Sequence, residues 1–329
     1  MYKGYKIQHK KFCKDLKFIS SHSSCILFDI DGVLIDVRRS YNLAIKRTVD
    51  LILKHAMGDS APKGLVTDNI ILRMRQTGGF NNDTDTSYII SLAALANPKK
   101  NTREIRNVLI DMSGSIDESG INSAEKFLSS RYNINKPKEF LCYPAPVGKS
   151  VVATVFDELF YGPKLFKKRH GFKSQYYLGR PLIENDNLVV TVKTIYELSR
   201  RFEGNLAVVS GRSKLAAKHS LRPIFDVFNL SGCAFLEDES RQYAKPNPYA
   251  IMRSMLTLRA QTAIYVGDSV EDLLMVRMAE KKTGFRIVFF GIYGYSTSPF
   301  DLSQQLTKNG ADIVIKNVNY IPDILNKSQ

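Results

Sequence analysis

The second half of the chain sets the strongest limit on its fold. From residue 186 onward, short apolar runs rich in strand formers alternate with stretches of helical periodicity. Leu206 to Val209, Ala234 to Leu236, Ala263 to Val266, Ile287 to Phe290 and Asp312 to Ile315 read as buried strands. Four helices accompany them, one ahead of the first of these strands and three between later ones. The first is capped by Asp186 or Asn187 and runs to Phe202, with Leu188, Val192, Ile195 and Phe202 on one face. The others are opened by Asn247 and Pro248, begin at Val270, and run from Pro299 to Asn309 with Gly310 closing the last. Strand-helix alternation of this kind needs parallel strands covered by helices on both faces, so the expected fold class is α/β, a doubly wound parallel sheet. In such sheets ligands bind beyond the carboxyl ends of the strands.

One strand belongs to the same sheet but lies far upstream. Ser24 to Ile30 is an apolar run that ends in a turn carrying Asp31 and Gly32, and an amphipathic helix follows from Arg38 to about His55 with Tyr41, Ile45, Val49 and Ile52 at helical spacing. After that the pattern changes to helices broken by polar loops, including 77–87 (TGGFNNDTDTS) and 97–102 (NPKKNT), with a proline-rich loop from Cys142 to Ser150 dividing the stretch. The domain expectation is a core of residues 1–36 and 185–329 with a mainly α-helical module, 37–184, inserted into it.

Composition narrows the class further. Apolar residues at 44% and charged residues at 24% are ordinary for a globular chain and exclude a disordered or fibrous one. No apolar run is long enough to span a bilayer, and the basic N-terminus lacks the apolar stretch of a secretory signal, so the chain reads as cytoplasmic with no membrane partner. Cys13, Cys25, Cys142 and Cys233 form no CxxC pair, which excludes the usual zinc and redox spacings. A formal charge of +15 favours polyanionic partners, whether small phosphate esters, nucleic acid or anionic lipid, and does not choose among them. No nucleic-acid motif accompanies the charge, although the charge alone leaves such binding open. The residues specify no oligomeric state.

Four short motifs fall at expected strand ends. In Asp29-Ile30-Asp31-Gly32 two carboxylates two residues apart point the same way, and Gly32 permits a sharp turn; one carboxylate can serve as nucleophile while the other exchanges a proton, although an acidic turn or calcium loop shares the pattern. In Ser210-Gly211-Arg212 a hydroxyl and a glycine amide can donate to a phosphoryl oxygen, or simply form a turn. Lys245 precedes Pro246 and is held out of the following helix, free to reach into a cleft or into solvent. Asp268 ends an apolar run and Asp272 follows four residues on; they offer the hard oxygens Mg²⁺ prefers, or cap a helix. The Val147-Gly148-Lys149-Ser150 segment fails as a phosphate loop because Tyr143 stands where the upstream glycine is required.

In order and spacing these four motifs resemble those of the haloacid dehalogenase-like (HAD) superfamily. A large insertion directly after the first motif is similar to the C1 type of cap, and the DxDGVLxD, KPxP and GDSxxD forms resemble the phosphoglycolate-phosphatase-like branch. The resemblance implies a Mg²⁺-dependent phosphatase in which Asp29 attacks phosphorus to form an aspartyl-phosphate and Asp31 protonates the leaving oxygen, then activates water. It implies Mg²⁺ held by the Asp29 carboxylate, the Asp31 carbonyl and Asp268, with Asp272 ordering the metal shell, and phosphoryl oxygens bound by Ser210, Gly211 and Lys245. The aspartate two positions after the nucleophile argues against a dehalogenase. The expected partner is a small phosphorylated metabolite. The insert is longer than the compact cap of that branch, so the polar run 77–87 with Asn81 and Asn82 is a candidate specificity loop, and Arg38, Arg39 and Arg75 are candidates for a second anionic group. Two rival functions are phosphotransfer to a second hydroxyl, as in mutases of the superfamily, and a non-catalytic RNA- or protein-binding role on the same scaffold.

Overall fold

The computed structural model describes residues 5–7, 24–80, 82–117 and 119–327, the first three by their backbone. The chain divides into two compact units, residues 1–37 with 186–329, and residues 38–185.

The first unit is built on a sheet of seven strands: β1 (Tyr5–Ile7), β2 (Ser24–Phe28), β5 (Leu206–Ser210), β6 (Ala234–Phe235), β7 (Thr262–Gly267), β8 (Arg286–Ile292) and β9 (Ile313–Ile315). Their order is β1-β9-β8-β7-β2-β5-β6, parallel throughout except for β1, which runs antiparallel along β9 with Lys6 opposite Val314. Sequence periodicity gave no sign of β1; a three-residue edge strand is too short for alternation to register. The central strands are apolar without interruption because both faces are covered. On one face Phe28, Val208 and Val266 pack with Ile195, Ala217, Ile321 and Ile324 from helices α8 (Val192–Arg201), α9 (Lys214–Ser220) and α13 (Ile321–Asn326). On the other, Leu27, Val209 and Tyr265 pack with Ile251, Met255, Leu273, Val276 and Leu306 from α10 (Tyr249–Thr257), α11 (Val270–Thr283) and α12 (Pro299–Lys308). The successive residues Leu27 and Phe28 thus serve opposite layers, as the two-residue period of a strand requires. Burial pushes the Cys25 thiol up to about 12 and the Cys233 thiol up to about 11, leaving both neutral.

A separate two-stranded ribbon marks where the chain leaves this unit and returns to it. β3 (Ile35–Asp36) pairs antiparallel with β4 (Asn187–Leu188), Ile35 opposite Leu188 and Asp36 opposite Asn187. This corrects the expected helix start at Asp186 or Asn187. Ladder pairing claims Asn187 and Leu188, and the helix begins at Val192, where the Thr191 side chain accepts from the Thr194 N–H at 3.1 Å.

The second unit is helical: α1 (Tyr41–Met57), α2 (Asp68–Gln76), α3 (Asp83–Leu95), α4 (Thr102–Ser113), α5 (Ile121–Ser129), α6 (Asn135–Leu141) and α7 (Val151–His170). α3 is its axis, with Tyr88, Ile89, Ile90, Leu92, Ala93 and Ala94 all fully buried. Its Thr86, Ser87 and Ser91 hydroxyls donate to carbonyls four residues back, so they are buried without loss of a partner. α7 is bent at Gly162, whose φ of 62° and contact with Pro181, 2.8 Å from where a Cβ would stand, exclude any other residue. Ser150, the last residue of the Val147–Ser150 segment, caps α7 through the Ala153 N–H. Among the described residues no helix is long and apolar enough to cross a membrane.

Candidate active site

β2, β5 and β7 end side by side, and each end delivers a polar side chain. The Asp29 N–H donates to the Val266 carbonyl at 2.8 Å, which extends the β2–β7 ladder by one residue and fixes the direction of the Asp29 side chain. Beyond it the chain folds back on itself: the Ile30 carbonyl accepts from the N–H groups of Val33, Leu34 and Ile35. Gly32 in this turn has a φ of 72°, and a Cβ there would stand 1.9 Å from an oxygen of Asp268. Only glycine lets the two strand ends approach this closely.

Asp268, just past β7, comes together with Asp29 and Asp272 so that one carboxylate oxygen from each lies within 4.8 Å of the others. Asp272 is fully buried and held on all sides. Its Oδ1 accepts from Lys245 Nζ at 2.6 Å and from the Tyr265 hydroxyl at 3.0 Å, and its Oδ2 from the Ser269 N–H and hydroxyl. The last pair is half of a capping box that starts α11, so the same residues that begin the helix hold this carboxylate. Lys245 also reaches Asp29 Oδ2 at 2.9 Å, and the Ser210 hydroxyl donates to Asp29. Gly211 follows Ser210 at an exposed position with open space where a Cβ would be.

The electrostatics follow from crowding. Burial, then the neighbouring Asp272, raises the Asp29 carboxyl above its ordinary value against the pull of Lys245. Burial, Asp29 and Asp272 raise Asp268 well above it. Burial works against the Lys245 ammonium, but Asp272 and Asp29 outweigh it and its affinity for the proton rises well above the usual lysine range. Among the described residues, then, three converging carboxylates face one ammonium. Hard oxygen donors at this spacing, short of positive charge, fit a divalent cation such as Mg²⁺.

The Asp31 carboxylate stands outside this group. It pairs with Arg212 Nε, and Arg212 Nη1 in turn donates to Asp186 Oδ2 at 2.7 Å and to the Ser220 hydroxyl at 2.9 Å. Ser220 donates to the same Asp186 oxygen at 2.6 Å. Although 31% of the Asp31 side chain remains open, burial pushes its carboxyl up to about 7 against Arg212, with Asp29 and Asp186 adding to the rise. A carboxylic acid near 7 can give up and recover a proton at neutral pH. Arg212, Asp186, Ser220 and Tyr265 are site residues to which sequence reasoning gave no role. The one usable signal was an arginine directly after the Ser-Gly pair at the end of an apolar run; Asp186 looked like a helix cap.

The remaining candidates lie in the second unit. Asn82 is the N-cap of α3, its side chain accepting from the Thr84 and Asp85 N–H groups at 2.8 and 3.2 Å. Arg75 pairs with Asp83 at 2.9 Å. The run 77–87 is therefore not a free loop: Phe80 is fully buried and Asp83 to Ser87 form the first turns of α3. Two acidic residues at a helix N-terminus and an asparagine cap explain why a polar run is helical here. Arg38 and Arg39 are exposed. Asn81 lies outside the described residues.

The chain is similar to several known proteins. Over 92% of this chain and 98% of the other, the fold matches the X-ray structure of a structural-genomics target at 17% identity with a TM-score of 0.62. A hydrolase from Pseudomonas syringae aligns at 16% identity over 92% of this chain and 98% of its own, with a TM-score of 0.46. A HAD hydrolase of family IA, variant 3, from Entamoeba histolytica aligns at 11% identity over 92% and 99%, also with a TM-score of 0.46. No curated protein matches the chain. The model of the haloacid dehalogenase-like hydrolase family matches residues 24–280, a span that takes in Asp29, Ser210, Lys245 and Asp268 and shows that the chain belongs to that family.

Proposed function

We propose that this enzyme hydrolyses a small phosphomonoester through a phosphorylated Asp29, with Mg²⁺ as cofactor. The observation that carries the reading is the division of labour between two carboxylates on one turn. Asp29 is paired with Lys245 and converges with Asp268 and Asp272, whereas Asp31 pairs with Arg212 outside that group and keeps 31% of its side chain open. A buried carboxylate within the cation-binding group is placed to attack phosphorus, and a part-exposed carboxyl on the same turn is placed to exchange a proton.

Asp29, Asp268 and the Asp31 carbonyl would hold Mg²⁺, with Asp272 fixed behind them by Lys245, Tyr265 and Ser269. When bound, Mg²⁺ offsets carboxylate repulsion and draws charge from the phosphoryl oxygens. An oxygen of Asp29 attacks phosphorus while the ester P–O bond breaks, and the Asp31 proton passes to the departing oxygen, which leaves as an alcohol. Asp31, now a carboxylate, takes a proton from water as the water oxygen attacks phosphorus and the Asp29–phosphorus bond breaks, releasing inorganic phosphate. Ser210, the Gly211 amide and Lys245 receive the phosphoryl oxygens, placing fixed donors where negative charge collects. The helical unit 38–185 leaves the core a few residues after Asp31, and we assign it the role of a C1-type cap that selects the organic part of the substrate.

The test is a panel of phosphate esters assayed for phosphate release with Mg²⁺ and with chelator, repeated with Asp29→Asn. We expect turnover of at least one ester, abolished by chelator and lowered on the order of a thousandfold or more by the substitution. Full activity in Asp29→Asn would show that another group attacks phosphorus, and an isomeric phosphate ester in place of inorganic phosphate would assign a mutase.

A further inference from the structure

We propose that Arg212 is a positioning residue for the acid step, holding the Asp31 carboxyl in the orientation from which it protonates the leaving oxygen, and that Asp186 and Ser220 hold Arg212 in turn. The proposal rests on the phosphohydrolase reading above and adds residues outside the four motifs to it.

Arg212 is 1% exposed, one of the largest side chains in the molecule to be buried so completely. A guanidinium stays charged under all ordinary conditions and carries its donors in a rigid plane, so fixing one edge fixes the other. Here the Nη1 edge is fixed by two acceptors, the Asp186 carboxylate and the Ser220 hydroxyl, which are bonded to each other. The Nε edge is thereby aimed at Asp31 Oδ1. Among the described residues one oxygen of Asp31, Oδ1, is held by Arg212, and the side chain keeps 31% of its surface open. A carboxyl pinned by one oxygen and open on its other side can face a substrate without swinging freely. An ion pair serving stability alone would have no reason to end on a part-exposed catalytic acid, because buried pairs gain little over apolar packing. Arg212 also follows Ser210 by two residues, and its N–H donates to the Ser210 hydroxyl at 3.4 Å, so one strand end places both a phosphoryl donor and the anchor of the acid.

The prediction separates positioning from plain structure by the need for a proton. The departing oxygen of 2,4-dinitrophenyl phosphate leaves without protonation, and that of phenyl phosphate needs it. For the full chain with Mg²⁺, kcat/KM reports events up to release of the phenol and is blind to the later water step. We expect Arg212→Met to lower kcat/KM about a hundredfold on phenyl phosphate and less than about fivefold on the dinitrophenyl ester, in line with the usual worth of a general acid. Arg212→Lys should recover part of the loss, and Asp186→Asn and Ser220→Ala should show the same selectivity at about tenfold or less. Asp31→Asn provides the reference for complete loss of the acid. If the Arg212 variants do not fold, the Asp186 and Ser220 variants carry the test. An equal loss on both esters, or no loss in any folded variant, overturns the positioning role while wild type and Asp31→Asn still support the phosphohydrolase reading. A wild type inactive on both of these and on every other ester of the panel, or an Asp31→Asn variant that loses activity equally on both, overturns that reading and the proposal with it.

Discussion

At the scale of single residues the site is a concentration of like charge held in place by a few donors. The sign of its pH dependence follows from the raised carboxyls. A carboxyl whose folded-state value lies above its ordinary value near 4 adds stability that is fully present below that value and is lost as pH rises through the folded one. Asp268 is raised well above its ordinary value by burial, Asp29 and Asp272. The chelated protein should therefore lose stability from this residue as pH rises from acid to neutral. Asp268→Asn, measured by thermal unfolding in chelator, should be more stable than wild type by a margin that is larger at pH 8 than at pH 5; a margin that shrinks would mean that the carboxylate is not under strain. Gly32 makes the complementary case. Alanine there meets Asp268 and forces a left-handed backbone worth on the order of 1–2 kcal/mol by itself, so Gly32→Ala should lower both the unfolding temperature and kcat. Asp29, Ser210, Lys245 and Asp268 stood out in the sequence because each lies at the end of an apolar run or before a proline, and their expected roles came from the order and spacing of the four motifs they belong to. The Asp31–Arg212–Asp186 chain was not, since residue types alone do not reveal which buried cation meets which carboxylate across 181 residues.

The elements show where local chemistry outweighs periodicity. Asp186-Asn187 ahead of an amphipathic stretch has the composition of a cap, but the pairing of Asn187 and Leu188 with β3 takes that segment into a ladder and passes the capping role to Thr191. The run 77–87 has the composition of a loop, but Asn82 supplies the start signal and the hydroxyls that follow bond backward along the helix. The parallel sheet with helices on both faces, by contrast, followed readily from the alternation of buried strands and helices. The reading of Asn82 as a cap has a direct check. Asn82→Ala should lower unfolding stability by about 1 kcal/mol and leave KM for a hydrolysed ester unchanged; a large change in KM with stability intact would make Asn82 a specificity residue.

For the whole molecule, the sheet gathers its chemistry at one edge of three adjacent strands, β5, β2 and β7, and the sequence order explains why. The chain builds outward from β2 to β5 and β6, then crosses β2 to place β7, β8 and β9 on the other side, which opens a crevice at the point of reversal. The β3–β4 ribbon has a different consequence. Because Asp36 and Asn187 are register partners, the 38–185 segment begins and ends at neighbouring points on the core, as a cassette does. Replacing it by Asn-Gly would turn the ribbon into an ordinary two-residue hairpin, and we expect the shortened chain to fold with the circular dichroism of an α/β protein. Evolution can then lengthen, exchange or retune such a segment without transmitting tension into the strands that carry the aspartates.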